Sequence, residues 1–244
     1  MQQQLLTLGG STLFSLFFNV LVVIFCEQIC NILKLQRIRP QTLDGSDVPK
    51  QNATWFHVFI ICINVLIPSL CFGVWYTFMT SSEFWKFPSL GDFLISLLQI
   101  PFLLLVADAF YYPYHYGAHA IQKLKFIHNM HHEIIESEHL FWSYYAHPID
   151  FLLGSIISML PLYLCANGYL GLVHLSLEGL NGLFNHHGII VSIPHVYDAR
   201  FHDDHHRFFH VNYALNFKFF DVLFNTYRAP NAKGASLEEQ TSEY

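Results

Sequence analysis

Three apolar runs limit what this chain can become. Residues 13–33 (LFSLFFNVLVVIFCEQICNIL), 56–78 and 93–112 each approach or exceed the roughly 20 mostly apolar residues that carry a helix across a bilayer core. In hydrocarbon every backbone N–H and C=O must be bonded within the segment, so such runs fold as helices. Charged residues make up only 12% of the chain, against about 25% in a soluble domain. The first run carries Glu27 and Gln28 near its end; it is long, no basic residue precedes it and no small-residue cleavage site follows, so it reads as a span and not a signal peptide. Residues 149–166 and 169–184 read as a helical hairpin turning at Asn167-Gly168. Its second arm, interrupted by His174, Glu178 and Asn181, either dips into the bilayer or crosses it. The expected architecture is an all-α integral membrane protein with four to five transmembrane or re-entrant helices. The five cysteines sit inside apolar runs and form no CxxC pair, which marks them as small buried hydrophobes.

Basic residues in short loops set orientation. Lys34, Arg37, Arg39 and Lys50 follow the first run, Lys86 alone lies between the second and third, and Lys123 and Lys125 follow the third. This places the N-terminus on the lumenal side and the histidine-rich segments and C-terminus in the cytosol. The Asn52-Ala53-Thr54 sequon then lies on the cytosolic side. The net charge of −6 offers nothing to a nucleic-acid backbone. The chain divides into membrane spans at 1–112, a catalytic region at 113–228 that includes the hairpin 149–184, and a polar, acidic tail at 229–244.

Fifteen of the 16 histidines lie between His115 and His210. His115 and His119 are four apart and share a helical face. His128, His131 and His132 form HxxHH, and His202, His205 and His206 repeat it. Neutral imidazole is a ligand for zinc, iron, copper or nickel. Repeated boxes in a chain this poor in charge exceed what a solvated surface or a pH sensor needs. Eight imidazoles are too many for one tetrahedral ion and suit two metals, each with a position open for chemistry. No HExxH, P-loop, GxSxG or GxGxxG occurs. Ligating histidines commonly give their second ring N–H to a carboxylate or carbonyl; Asp108, Asp203, Asp204 and Asp221 are candidates for that partner. Asp108 is the most pointed, ending an apolar run two helical turns before His115. His147 either supports a ligand or packs at a helix start before Pro148. His210 stands where the polar box gives way to an aromatic segment and is read as outside the ligand set.

The order HxxxH, HxxHH, a middle histidine, HxxHH resembles the fatty acid hydroxylase/sterol desaturase superfamily of membrane di-iron oxygenases. The flanks DAFYYPYHYGAH, FIHNMHHE, YYAHPIDFLLG and FHDDHHRFFHVNYALNFKFFDVLFNTY are similar to that family's motifs, with Tyr116, Ala214, Phe220 and Asn225 as departures. The resemblance covers about 108–227 and lies nearest sterol C4-methyl oxidases and sterol C5-desaturases. It implies a cytosolic helical cap whose ligands are His115, His119, His128, His131, His132, His202, His205 and His206, with either His186 or His187 as the middle one. It further implies two iron ions, replaceable by zinc in recombinant material, and O2-dependent oxidation of an unactivated C–H bond of a sterol, favouring C4-methyl oxidation. Sterol C5-desaturation, sterol side-chain hydroxylation and fatty-acyl hydroxylation are the alternatives within this chemistry. Electrons would come ultimately from NAD(P)H through a separate reductase, cytochrome b5 or both, at the endoplasmic reticulum. A divalent-metal transporter is the reading from another class; its ligands would sit on broken helices near the bilayer midplane, whereas the boxes here lie outside the apolar runs.

Overall fold

The computed structural model describes residues 2–33, 52–79, 83–134, 139–165, 167–186, 191–193 and 196–229. The basic loop residues Lys34, Arg37, Arg39 and Lys50, the candidate ligand His187, His195 and the acidic tail lie outside the described residues.

Helices dominate, as the apolar runs require. α1 spans Gln2–Ile32 and α2 spans Trp55–Phe78. α3, Leu90–Ser96, passes through a 3-10 turn at Leu97–Gln99 into α4, Ile100–Ala120. α5 is Gln122–His128, α6 Pro148–Met159, α7 Gly168–Asn185, α8 Arg200–Phe208 and α9 Phe219–Leu223. Two short strands, β1 (Ser192–Ile193) and β2 (Tyr197–Asp198), pair antiparallel just before α8.

Among the described residues, three segments are long and apolar enough to cross a membrane: Gln2–Ile32, Trp55–Phe78 and Leu90–Ala120. Their large apolar side chains point outward; Phe14, Phe17, Trp55, Phe78 and Leu98 are all exposed. Exposed side chains of this kind need lipid around them. Two asparagines within the spans turn inward. Asn64 is buried and donates to the carbonyls of Tyr144 and Ala146, both at 2.8 Å, and Asn19 donates to Ser69 Oγ at 3.2 Å. α1 and α2 touch closely at Gly73, where a Cβ would meet Thr12 Oγ1 at 2.1 Å. The hairpin read at 149–166 and 169–184 is α6 with its following 3-10 turn, Leu160–Leu164, and then α7. Asn167 caps α7, accepting from Leu170 N at 2.9 Å.

The third span is longer than a crossing requires. Leu90–Ala120 is 31 residues long, and about 20 suffice for the hydrocarbon core. The apolar run in it ends at Tyr112, so the last turns, carrying His115 and His119, follow the apolar stretch. Pro113 does not interrupt the helix. The C-terminal segment returns to this end of α4 through α8, a loop and α9.

Candidate metal centre

Each box is placed by a different piece of backbone. His115 and His119 ride the last turns of α4. The chain turns at Ile121, whose backbone is extended, and α5 runs back to deliver His128 as its last residue; His131 and His132 follow in a 3-10 turn. α8 carries His202, His205 and His206. His186 is the residue that ends α7.

The nine rings form two adjoining groups, in each of which the nitrogens on offer lie within 4.8 Å of one another: His115, His119, His128, His132 and His205, then His131, His186, His202 and His206. All but His119 and His186 are buried. Each HxxHH is divided between them. The i and i+4 members stay together (His128 with His132, His202 with His206), while the i+3 member, His131 or His205, serves the other group. On α8 helical geometry explains this, because i and i+4 diverge by about 40° and i+3 and i+4 by about 100°; the first box reaches the same division through the 3-10 turn that follows α5.

Within the first group, Nε2 to Nε2 distances are 3.1 Å for His119–His205, His132–His119 and His132–His128. Within the second they are 3.2 Å for His186–His131, 2.9 Å for His202–His186, 3.1 Å for His206–His131 and 3.0 Å for His206–His202. Two nitrogens each about 2.0–2.1 Å from one ion stand about 2.9–3.4 Å apart at octahedral or tetrahedral angles.

The second ring nitrogens decide which atom faces the centre. His115 Nδ1 donates to Tyr213 O and His205 Nδ1 to Val211 O, both at 2.7 Å, and His186 Nδ1 to Gly182 O at 2.8 Å. Spending the ring proton on a carbonyl leaves Nε2 with a bare lone pair. His128 Nδ1 meets the Asp150 carboxylate at 3.0 and 3.2 Å, and Asp150 also accepts from the Tyr114 hydroxyl. Burial first, and neighbouring imidazoles second, hold His131, His132, His202, His205 and His206 well below the ordinary histidine pKa. Burial lowers His186 to about 4. The lowered pKa values favour neutral rings, and where Nδ1 donates to a carbonyl, as in His115, His186 and His205, Nε2 offers a lone pair to its group. His115 Nε2 is buried with no hydrogen-bond partner. Unprotonated nitrogens packed this closely repel unless a cation lies among them, so the residues fit a metal in each group.

The carboxylates singled out from sequence lie elsewhere. Asp108 accepts from the backbone N–H of Leu215, Asn216 and Phe217 at 3.1, 2.9 and 2.7 Å. Asp221 accepts from Tyr213 N and Ala214 N at 2.7 and 3.0 Å. Both act on the loop that supplies the Tyr213 carbonyl to His115. Asp204 approaches Arg228 at 4.0 Å, and Asp203 has one carboxylate oxygen buried without a partner. His147 caps α6, accepting from Ile149 N at 3.2 Å. The carboxylate that meets a ring of either group, at His128, is Asp150, which sequence reasoning missed although it stands in the quoted HPID segment. Outside both groups, His57 caps α2, His139 approaches Glu27 at 3.4 Å and His174 contacts Ser158 O at 3.0 Å. α8 ends at Phe209 in a left-handed conformation (φ 65°), which breaks the periodicity that would bring His210 over His206, and His210 is exposed.

A cavity of about 470 Å³ reaches the histidines from the membrane helices. Phe14 and Phe18 of α1, Phe72 of α2 and Leu172 and Leu175 of α7 form apolar wall, and His128, His131 and His186 also line it. Its volume falls within the roughly 300–1,000 Å³ of small-molecule sites.

These features define a polytopic α-helical membrane protein with a polyhistidine centre bordering an apolar cavity. A profile of the fatty acid hydroxylase family matches residues 100–226, and the chain belongs to that family. It is 27% identical over 209 residues to methylsterol monooxygenase 1 of Rattus norvegicus, covering 79% of this chain and 66% of the relative. It is 28% identical over 176 residues to methylsterol monooxygenase 1 of Danio rerio, covering 66% and 57%. It is 30% identical over 147 residues to a methylsterol monooxygenase of Aspergillus fumigatus, covering 55% and 48%. The chain thus spans less than two thirds of the length of these relatives. No solved structure matches it.

Proposed function

We propose that this protein is a membrane-bound oxidoreductase that uses O2 to oxidise an unactivated C–H bond of a methylsterol, with a C4 methyl group as the target. The supporting observation is the junction of the apolar cavity with both histidine groups. Family membership and the relatives' activity point the same way. Two iron ions, one per group, are the proposed cofactor, with His115, His119, His128, His132 and His205 for one and His131, His186, His202 and His206 for the other. When bound, they supply the oxidising power that protein side chains lack.

The chain's own residues do the rest. The carbonyls of Val211, Tyr213 and Gly182 and the Asp150 carboxylate fix ring orientation, so the lone pairs are aimed before a metal arrives. Gly154 and Ser158 on α6 and Gly179 and Gly182 on α7 leave room along the cavity for a flat ring system. The apolar wall keeps water from the reacting carbon and draws substrate from the bilayer. Electrons from NAD(P)H reach the cap through a separate cytochrome b5, a reductase or both. We place the protein in the endoplasmic reticulum with its histidines and C-terminus in the cytosol.

The test is reconstitution of the purified protein with iron, NAD(P)H, a reductase, cytochrome b5 and a 4-methylsterol. The expected product is a sterol carrying one added oxygen on the C4 methyl group, identified by mass spectrometry and NMR. Oxygen inserted instead into the sterol side chain or a fatty acyl chain, or a new ring double bond, would replace the proposed substrate or outcome with one of the alternatives.

A further inference from the structure

The cavity is not apolar throughout. Tyr111 of α4 and Glu178 of α7 both line it. Tyr111 lies four residues before His115, and their rings meet edge-on with centroids 5.2 Å apart. Among the described residues its hydroxyl has no hydrogen-bond partner, unlike that of Tyr114, which is committed to Asp150.

Glu178 is buried. One carboxylate oxygen accepts from Asn216 Nδ2 at 2.9 Å and the other from Ser158 Oγ at 3.2 Å. A carboxylate has about four lone-pair sites, so two bonds leave it with capacity to accept more. Asn216 Nδ2 also reaches Asp108 Oδ1 at 3.2 Å, which holds the Glu178 carboxylate beside Asp108. Along α4 the order is therefore carboxylate at Asp108, phenol three residues on, roughly 4.5 Å along the axis, and His115 one further turn on.

We propose that Tyr111 and Glu178 are a specificity-determining pair that grips a hydroxyl group of the lipid substrate, Tyr111 donating to its oxygen and Glu178 accepting its proton in a hydrogen bond. This rests on the sterol reading above and deepens it. An alcohol both donates and accepts, and so satisfies both residues. A ketone or an ether only accepts, and would set its lone pairs against those of the Glu178 carboxylate, to which Asn216 and Ser158 both donate; burial raises the Glu178 pKa to about 8, so the two ligands are compared above that pH. Because the phenol stands one turn from His115, a hydroxyl held there presents a carbon close to its own carbinol carbon, as a methyl group on the neighbouring ring position would be.

The experiment measures equilibrium binding to the full chain, loaded with metal in lipid nanodiscs, of a 4-methylsterol bearing a 3-hydroxyl and of the matching 3-ketone. The alcohol is expected to bind about tenfold or more tightly than the ketone, the discrimination a site built for a hydroxyl imposes. Tyr111→Phe weakens both ligands about tenfold, since both accept from the phenol. Glu178→Gln abolishes the preference, because its amide can turn an N–H to the ketone. Circular dichroism and metal content establish that the variants are folded. Equal binding of both sterols to the native protein overturns the pair and leaves the sterol reading standing. So does an unchanged preference in folded Glu178→Gln; if that variant does not fold, unchanged alcohol binding by Tyr111→Phe has the same force. Failure of the native protein to bind either sterol overturns both readings.

Discussion

Asp108 is the strongest lever on the centre that does not touch a histidine. Its Oδ1 accepts from Leu215 N, Asn216 N and Asn216 Nδ2, and its Oδ2 from Phe217 N. The segment so held leads directly to the carbonyls that orient two ligands, Val211 for His205 and Tyr213 for His115. Asp108→Asn keeps one oxygen for the crowded side and opposes an amide N–H to Phe217 N–H. One buried donor left unmade costs about 1–3 kcal/mol. A chain of this size loses about 2–4 °C of melting temperature per kcal/mol, so the variant should melt about 2–12 °C lower. Asp108→Ala orphans three backbone donors, for about 3–9 kcal/mol before relaxation, which approaches the whole stability of many proteins. Because His115 and His205 belong to the same group, Asp108→Asn should loosen that metal and spare the one held by His131, His186, His202 and His206. Elemental analysis after brief chelation should show metal falling from about two per chain toward about one. Native melting temperature and metal retention in both variants, or equal loss from both groups, would refute this chain of reasoning.

Other outcomes follow from the same geometry. His202→Ala, His205→Ala and His206→Ala should each abolish turnover and lower metal content, whereas His210→Ala, beyond the left-handed residue that ends α8, should retain substantial activity and nearly full metal; equal metal loss in His206→Ala and His210→Ala would show a longer box. The metal-free protein should be acid-labile: His131, His132, His186, His202, His205 and His206 have folded pKa values depressed by burial, so below an unfolded value near 6.5 the unfolded chain binds more protons. Its stability should therefore be full above that pH and fall from about pH 6.5 toward 4, and a flat profile across that window would contradict the neutral-ring assignment. Asn52 should stay unglycosylated; a glycosidase-sensitive mobility shift abolished by Asn52→Gln would invert the proposed orientation.

Much of the scaffold was legible because lipid makes a uniform demand. A run of apolar residues long enough to cross must be a helix, and the second and third runs lie within the candidate spans while the first passes the end of its span by one residue. Their ends were less legible. Gln2–Gln4 continue α1, and α4 runs on to Ala120 through Tyr111–His119, because helical hydrogen bonding does not stop where hydrophobicity does. The histidine spacing marked out rings that the structure gathers, but not that each HxxHH is divided between two groups. It could not foretell partners supplied by carbonyls, since Val211, Tyr213 and Gly182 act through atoms every residue has. Asp108 drew attention as an acid near the end of a span, but its partner, the backbone 215–217, is more than 100 residues away in sequence. Asp150 was passed over because a carboxylate in the first turn of a helix already has an ordinary reason to be there.

The division of the two HxxHH boxes has a consequence for assembly. Had each box served one centre, either could form on its own stretch of chain. Instead the first group draws on α4, the α5 segment and α8, and the second on the turn after α5, the end of α7 and α8. Neither is complete until α8 has docked against the last turns of α4 and the close of α7. Docking depends on the loop 211–217, gripped by Asp108 from the membrane helix on one side and by Asp221 from α9 on the other. The two buried carboxylates thus couple the C-terminal segment to the third span, and metal held in both groups, as proposed, would tie the same segment to that span a second time.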